Sequence, residues 1–315
     1  MENSTSCSRA LMITEIVRMI CEESTPTFHQ GIWIRPTRLP VLARTAKIFM
    51  DPALDLIWRE LASIAPLVKC MPESLWEERD ERGQKTIFLR RPILAADLPR
   101  LLFYSVRVTK LCKPRYHRSG VHPDAIQALN MALSLQSFMP KLSCLQWTPV
   151  KEILPLIHQL LGCNIRTLTL DLDNTTPSLS LLPYAKASCS LVSKLTLGLS
   201  SMATQSTIAV ISDAVCGWHR LQELSIPNLD LPALTHISQL ESLTDLNLTA
   251  VVGDSGTLHL QPLSGPTFPS LTNLRIACDE PAFCSSFIKM ISSRQLQTLS
   301  IEAVEYSALD SRGVG

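Results

Sequence analysis

The chain has 315 residues, 46% of them hydrophobic but only 5% aromatic, so its core must be aliphatic and dominated by Leu. The 29 Lys and Arg nearly match the 28 Asp and Glu, for a formal net charge of +1, which removes the electrostatic case for nucleic acid or an anionic membrane and leaves protein as the expected partner. No apolar run reaches the roughly 18 residues of a membrane span, and the acidic start Met1-Glu2 lacks the basic region of a secretory signal.

The 10 cysteines are scattered without a C-x-x-C pair, so reduced and mostly buried thiols are expected, as in a cytoplasmic or nuclear protein, rather than a disulfide framework. After a disordered start at residues 1–8, Leu11-Met-Ile-Thr-Glu-Ile-Val-Arg-Met-Ile-Cys21 places Ile13, Ile16, Val17 and Ile20 on one helical face. A Pro-containing connection over 21–38 leads to Leu39-Pro-Val-Leu-Ala-Arg-Thr-Ala-Lys-Ile-Phe49, read as a second helix. Asp51-Pro-Ala-Leu-Asp-Leu-Ile-Trp-Arg-Glu-Leu61 is read as the start of a third, continuing through Pro66 toward Leu75-Trp76.

The order and landmarks of these three segments resemble the F-box, in the version expanded in mushroom-forming fungi. Glu15-Ile16-Val17, Ile20, Leu42-Ala43, Lys47, Phe49 and Pro52-Ala53-Leu54 to Trp58-Arg59 carry the likeness, while Thr14 stands where the motif has Pro and Cys21 where it has Phe. The resemblance implies a small helical domain over 9–76 that docks a Skp-type adaptor through Ile13, Ile16, Val17, Ile20, Leu39, Leu42 and Phe49, and through the adaptor a cullin.

Residues 77–140 are expected to join box and repeats as a linker with a divergent first repeat. The mixed-charge run from Glu77 to about residue 91 reads as a solvated loop, Phe103 to Leu111 as a strand by its alternation, and Pro123 to Met139 as a helix.

From 141 to 305 one hexamer recurs: Leu142-Ser-Cys-Leu145-Gln-Trp147, Ile165-Arg-Thr-Leu168-Thr-Leu170, Val192-Ser-Lys-Leu195-Thr-Leu197, Leu221-Gln-Glu-Leu224-Ser-Ile226, Leu243-Thr-Asp-Leu246-Asn-Leu248, Leu271-Thr-Asn-Leu274-Arg-Ile276 and Leu296-Gln-Thr-Leu299-Ser-Ile301. The seven copies lie 22 to 29 residues apart. That pattern and period are those of a leucine-rich repeat, each unit giving one short strand and a return segment. Alternation sends the second and third apolar residues inward. The expected fold class is therefore α/β, a small helical domain followed by a solenoid with parallel strands on its concave face and helices or loops outside.

Return helices are predicted over Thr204–Trp218 and Pro281–Ser293, and loops at Asn174–Pro177, Pro227–Pro232 and Gly253–Pro269. The stretch 306–315 is read as a tail, as expected of a truncated chain.

Function is expected on the residues alternating with the strand leucines: Thr169, Asp171, Lys194, Thr196, Glu223, Ser225, Asp245, Asn247, Asn273 and Arg275, with Thr167, Thr249, Thr298, Ser300 and Glu302 beside them. Nothing in the sequence matches a phosphate-binding, nucleophile-elbow or zinc-protease motif, so neither enzyme chemistry nor a cofactor or metal is expected. Cys216 with His219, and Asp171 with Asn174, are the nearest approaches to a reactive or metal pair, and packing explains them better. The leading expectation is an F-box substrate receptor of a cullin-RING ubiquitin ligase. A repeat-based binding or inhibitor module without the adaptor is the alternative.

Overall fold

The computed structural model describes residues 13–24, 38–81, 83–113, 119–133, 138–200, 203–251, 267–278 and 281–303. The expected disordered start, most of the 21–38 connection, most of Gly253–Pro269 and the 306–315 tail lie outside the described residues. The chain divides into two compact units, Met1–Leu142 and Ser143–Gly315. The second begins two residues after the expected start of the repeats, whereas the expected boundary at 76 falls inside the first unit.

The first unit opens with α1 (Thr14–Glu23), α2 (Leu39–Thr45) and α3 (Lys47–Trp58). They enclose a small core of Val17, Cys21, Leu39 and Ala53, flanked by Leu42, Ala43, Phe49, Leu56 and Ile57. The second helix is shorter than expected: Ala46 is extended (φ −152°, ψ 148°), and Thr45 Oγ1 turns back to donate to the Leu42 carbonyl at 2.7 Å. Ile48 and Phe49 therefore belong to α3. Beyond β1 (Glu60–Leu61) and the single turn α4 (Ala65–Val68), Trp76 begins a strand instead of ending a third helix.

That strand corrects the expected solvated loop. β2 (Trp76–Glu81) and β3 (Gln84–Leu89) form an antiparallel hairpin, with Glu78 opposite Ile87 and Asp80 opposite Lys85. Its partner strand supplies the apolar residues that β2 lacks: Ile87 is fully buried, and Arg79 lies 4.6 Å over the Phe88 ring. Glu77 pairs with Arg79 and Arg90, and Glu78 with Lys69 and Lys85, so the charges partner locally and both carboxyls titrate below their usual range. Gly83 (φ 79°) supplies the left-handed residue of the turn and donates its N–H to Asp80 at 2.8 Å.

The expected strand at Phe103–Leu111 is half right. Residues Leu98–Ser105 form helix α5, started by Pro99 in its first turn, and only β4 (Lys110–Cys112) is extended, parallel to β1. β5 (Ser119–Val121) adds to β3, and α6 (Pro123–Leu133) fills the predicted helical region.

In the second unit each of the seven hexamers carries one strand: β6 (Cys144–Trp147), β7 (Thr167–Leu172), β8 (Lys194–Leu199), β9 (Glu223–Ile226), β10 (Asp245–Val251), β11 (Asn273–Cys278) and β12 (Thr298–Ala303). Neighbours in sequence are neighbours in the sheet and all pair in parallel, with equivalent hexamer positions in register. The protein is thus α/β with a large parallel sheet.

A backbone clasp repeats with the strands. Two successive N–H groups donate to one carbonyl of the preceding unit: Arg166 and Thr167 to Ser143, Ser193 and Lys194 to Arg166, Gln222 and Glu223 to Ser193. The series continues with Thr244 and Asp245 to Gln222, Thr272 and Asn273 to Thr244, and Gln297 and Thr298 to Thr272, at 2.7 to 3.1 Å.

The inward residues of six hexamers, from Leu145 and Trp147 to Leu274 and Ile276, are at most 4% exposed. The seventh differs, since Leu299 and Ile301 are 46% and 49% exposed. The first apolar residue of the hexamer is buried as well, Leu142, Ile165, Val192, Leu221, Leu243 and Leu271 all being 2% exposed or less. It precedes the strand, where alternation no longer governs which way it points.

Between strands the chain forms α7 (Ile157–Leu160), α8 (Thr176–Leu179), α9 (Leu181–Ser188), α10 (Gln205–Val215), α11 (Leu231–Ser238) and α12 (Pro281–Met290). Thr204 caps α10 by accepting from the Thr207 N–H, and Asp230 caps α11 by accepting from the Ala233 N–H at 2.9 Å. The Pro227–Pro232 segment is therefore loop only up to Asp230. Seven described cysteines are free thiols, but Cys284 is disulfide-bonded, against the expectation of thiols throughout. Spacing along the chain did not report which cysteines the stacking brings within bonding distance.

Candidate functional site

The residues expected to dock an adaptor do not share one environment. On α1, Ile13, Ile16 and Ile20 follow i, i+3, i+7 spacing, and Ile13 and Ile20 are 48% and 37% exposed. Val17 and Cys21, spaced i, i+4, flank that stripe on one side and are fully buried. Leu39 on α2 is also fully buried, and Leu42 and Phe49 pack against the same core. Val17 and Leu39 are therefore corrected from docking residues to internal packing: three short helices need them to enclose any core at all.

Apolar side chains that the sequence reading had not selected face outward instead: Met19, Val41, Ile48 and Met50. With Ile13 and Ile20 they make up six of the fourteen large hydrophobic side chains exposed among the described residues. Helical spacing could have identified Met19 as outside the buried stripe. Val41, Ile48 and Met50 became legible only once the break at Ala46 was known.

The ten polar positions expected on the sheet do lie together, because parallel pairing in register aligns them in rows across the strands. One row runs Thr167, Lys194, Glu223, Asp245, Asn273 and Thr298, and the next Thr169, Thr196, Ser225, Asn247, Arg275 and Ser300. Asp171 stands opposite Gly198 one step further along.

Many of these groups bond one another. Lys194 pairs with Glu223, Asn273 Nδ2 donates to Asp245 Oδ1 at 2.6 Å, and Asn247 Nδ2 donates to Ser225 Oγ at 3.0 Å. The second Asp245 oxygen accepts from Thr244 Oγ1 at 2.6 Å. Thr169, Thr196 and Arg275 have no side-chain hydrogen bond among the described residues, and Thr196 and Arg275 are exposed. The face thus presents a bonded frame of side chains with a cation and two hydroxyls available for contact.

Cys216 shows no sign of activation. Burial, with Asp230 nearby, pushes its thiol up, whereas a nucleophilic thiol is held below its ordinary value. Burial likewise pushes Cys189 to about 11. Asn174 is occupied structurally, its Oδ1 accepting from Thr207 Oγ1 at 3.1 Å. Among the described residues no cluster of His, Cys, Asp or Glu could hold a metal ion, and no helix is long and apolar enough to cross a membrane. No protein-family model matches the chain, and no curated protein matches it either.

Proposed function

We propose that the chain is a leucine-rich-repeat substrate receptor of the F-box type, in which the helices α1 to α3 bind a Skp-type adaptor and the polar sheet face binds a target protein. The observation that carries the reading is the outward apolar set Ile13, Met19, Ile20, Val41, Ile48 and Met50 on three helices whose own core is minimal. Six large apolar side chains left exposed on three short helices are the raw material of a protein-binding patch. The rows on the sheet face support the target-binding half, since a rigid backbone presents them at fixed spacing.

In this reading the chain performs no bond chemistry. It holds a target near a charged conjugating enzyme, so that an encounter between separate molecules becomes a local one. The second reading, a repeat-based binding or inhibitor module without an adaptor, is favoured by one observation: Val17 and Leu39 are spent on internal packing.

Co-precipitation with purified Skp-type adaptor separates the two. Binding by the unaltered chain and its loss in Ile20→Asp, with the melting temperature kept, supports the receptor reading. Absence of binding under conditions where an F-box protein of known activity binds overturns it.

A further inference from the structure

Within the first unit, α1, the end of α3 and the segments before β4 and β6 line an open pocket of about 250 Å³, with Arg18, Glu22, Arg59 and Lys141 exposed at it and Pro52, Asp55, Leu56, Arg107 and Thr109 half-buried. Four of these side chains are cationic and two anionic. Arg107 is already neutralised, donating to Asp51 at 2.7 Å and pairing with Asp55, with its guanidinium 5.0 Å over the Phe103 ring. Arg18, Arg59 and Lys141 have no ion pair or side-chain hydrogen bond among the described residues; with Asp51 and Asp55 both on Arg107 and Glu22 beside them, four cations face three carboxylates, a local excess of one positive charge.

The root of one of these cations is fixed. The Arg59 carbonyl accepts from the backbone N–H groups of Thr109 and Lys110, each at 2.9 Å, and from Thr109 Oγ1 at 3.2 Å. That clasp and the Arg107 pair with α3 hold the pocket walls together without using the side chains of Arg18, Arg59 or Lys141. Pro52 and Leu56 give one wall an apolar surface suited to a carbon skeleton.

We propose that this pocket is a binding site for a small phosphorylated anion, a phosphate monoester or a polyphosphate. Guanidinium groups suit it because their planar donors match phosphate oxygens in pairs, and such charge-assisted bonds are the stronger class. The proposal does not rest on adaptor binding, although α1 and α3 contribute to both surfaces, and the pocket shares no residue with the sheet face.

Titration calorimetry of the full chain with inorganic pyrophosphate, and separately with glucose 6-phosphate, tests it. Saturable binding of either probe is expected, weakened roughly tenfold in Arg59→Gln and in Lys141→Gln, the change expected for loss of one charge-assisted bond. Arg275→Gln, which removes an exposed cation from the second unit, should leave the affinity unchanged, and melting curves should show that all three variants fold. The preferred probe tells whether a polyphosphate or an ester is the better ligand. The proposal is overturned by absence of saturable binding with both probes, by equal weakening in Arg275→Gln, by undiminished binding in the Arg59 and Lys141 variants, or by an equal response to sodium chloride at matched ionic strength.

Discussion

Leu246 and Leu299 occupy the same position of the hexamer on different strands, and truncating each to Ala should have very different costs. Leu246 is 2% exposed and stands in register between Leu224 and Leu274, which are 2% exposed or less. Its replacement removes three carbon groups at about 0.8 kcal/mol each and leaves a cavity that flanking strands cannot close, for about 2 to 5 kcal/mol in all. Leu299 is already 46% exposed. With about half the transfer term lost and no enclosed cavity formed, its truncation should cost only about 1 kcal/mol. Urea denaturation followed by far-ultraviolet circular dichroism measures both, with the midpoint expected to fall markedly for Leu246→Ala and slightly for Leu299→Ala. Equal costs, or an unchanged midpoint for Leu246→Ala, would refute the inward register of β10 and the open state of the β12 face.

Two other outcomes follow from single contacts. Trp218 is fully buried and its Nε1 donates to the Cys189 carbonyl at 2.9 Å, joining the segment after α10 to the turn after α9. Trp218→Phe leaves that carbonyl without its donor and should cost about 1 to 3 kcal/mol in the same urea assay; a variant as stable as the parent would show that the bond contributes nothing. In the first unit, the Arg91 guanidinium donates to both Asp97 oxygens at 2.7 and 2.8 Å, and the Leu94 N–H donates to one of them at 2.8 Å. Together these hold the Asp97 carboxyl at about 2, below its ordinary 3.8. A depressed acid contributes stability that is fully present above its unfolded value and is lost as pH falls toward its folded one. Asp97→Asn should therefore be less stable than the parent at neutral pH, with the difference closing between about pH 4 and pH 2; a gap that persists below pH 2 in melting experiments would assign the effect to something other than the charge.

The repeated strands were legible because their signal is local. Hexamers with period-2 alternation state both where a strand lies and which side chains face inward, and parallel stacking multiplies the same statement down the second unit. The rows of candidate contact residues follow from that register alone. Local signals failed where a segment depends on its partner. The charged run from Glu77 to Glu81 carries no strand pattern of its own and is extended because β3 brings Ile87 and Phe88 alongside it. Leu299 and Ile301 carry the full inward pattern, yet nothing among the described residues covers them.

At the N-terminus the sequence by itself determined that α1 has one broad apolar face, but not which edge of it is spent inside. Only the tertiary structure decided that Val17 and Leu39 go inside while Val41 and Met50 remain out, because burial depends on how many helices share the core. The pocket divides in the same way. Pro52, Asp55, Leu56 and Arg59 form a stripe at helical spacing that the sequence displays, and Arg18 with Glu22 another. Arg107, Thr109 and Lys141 lie dozens of residues away and join them only because folding shortens that distance.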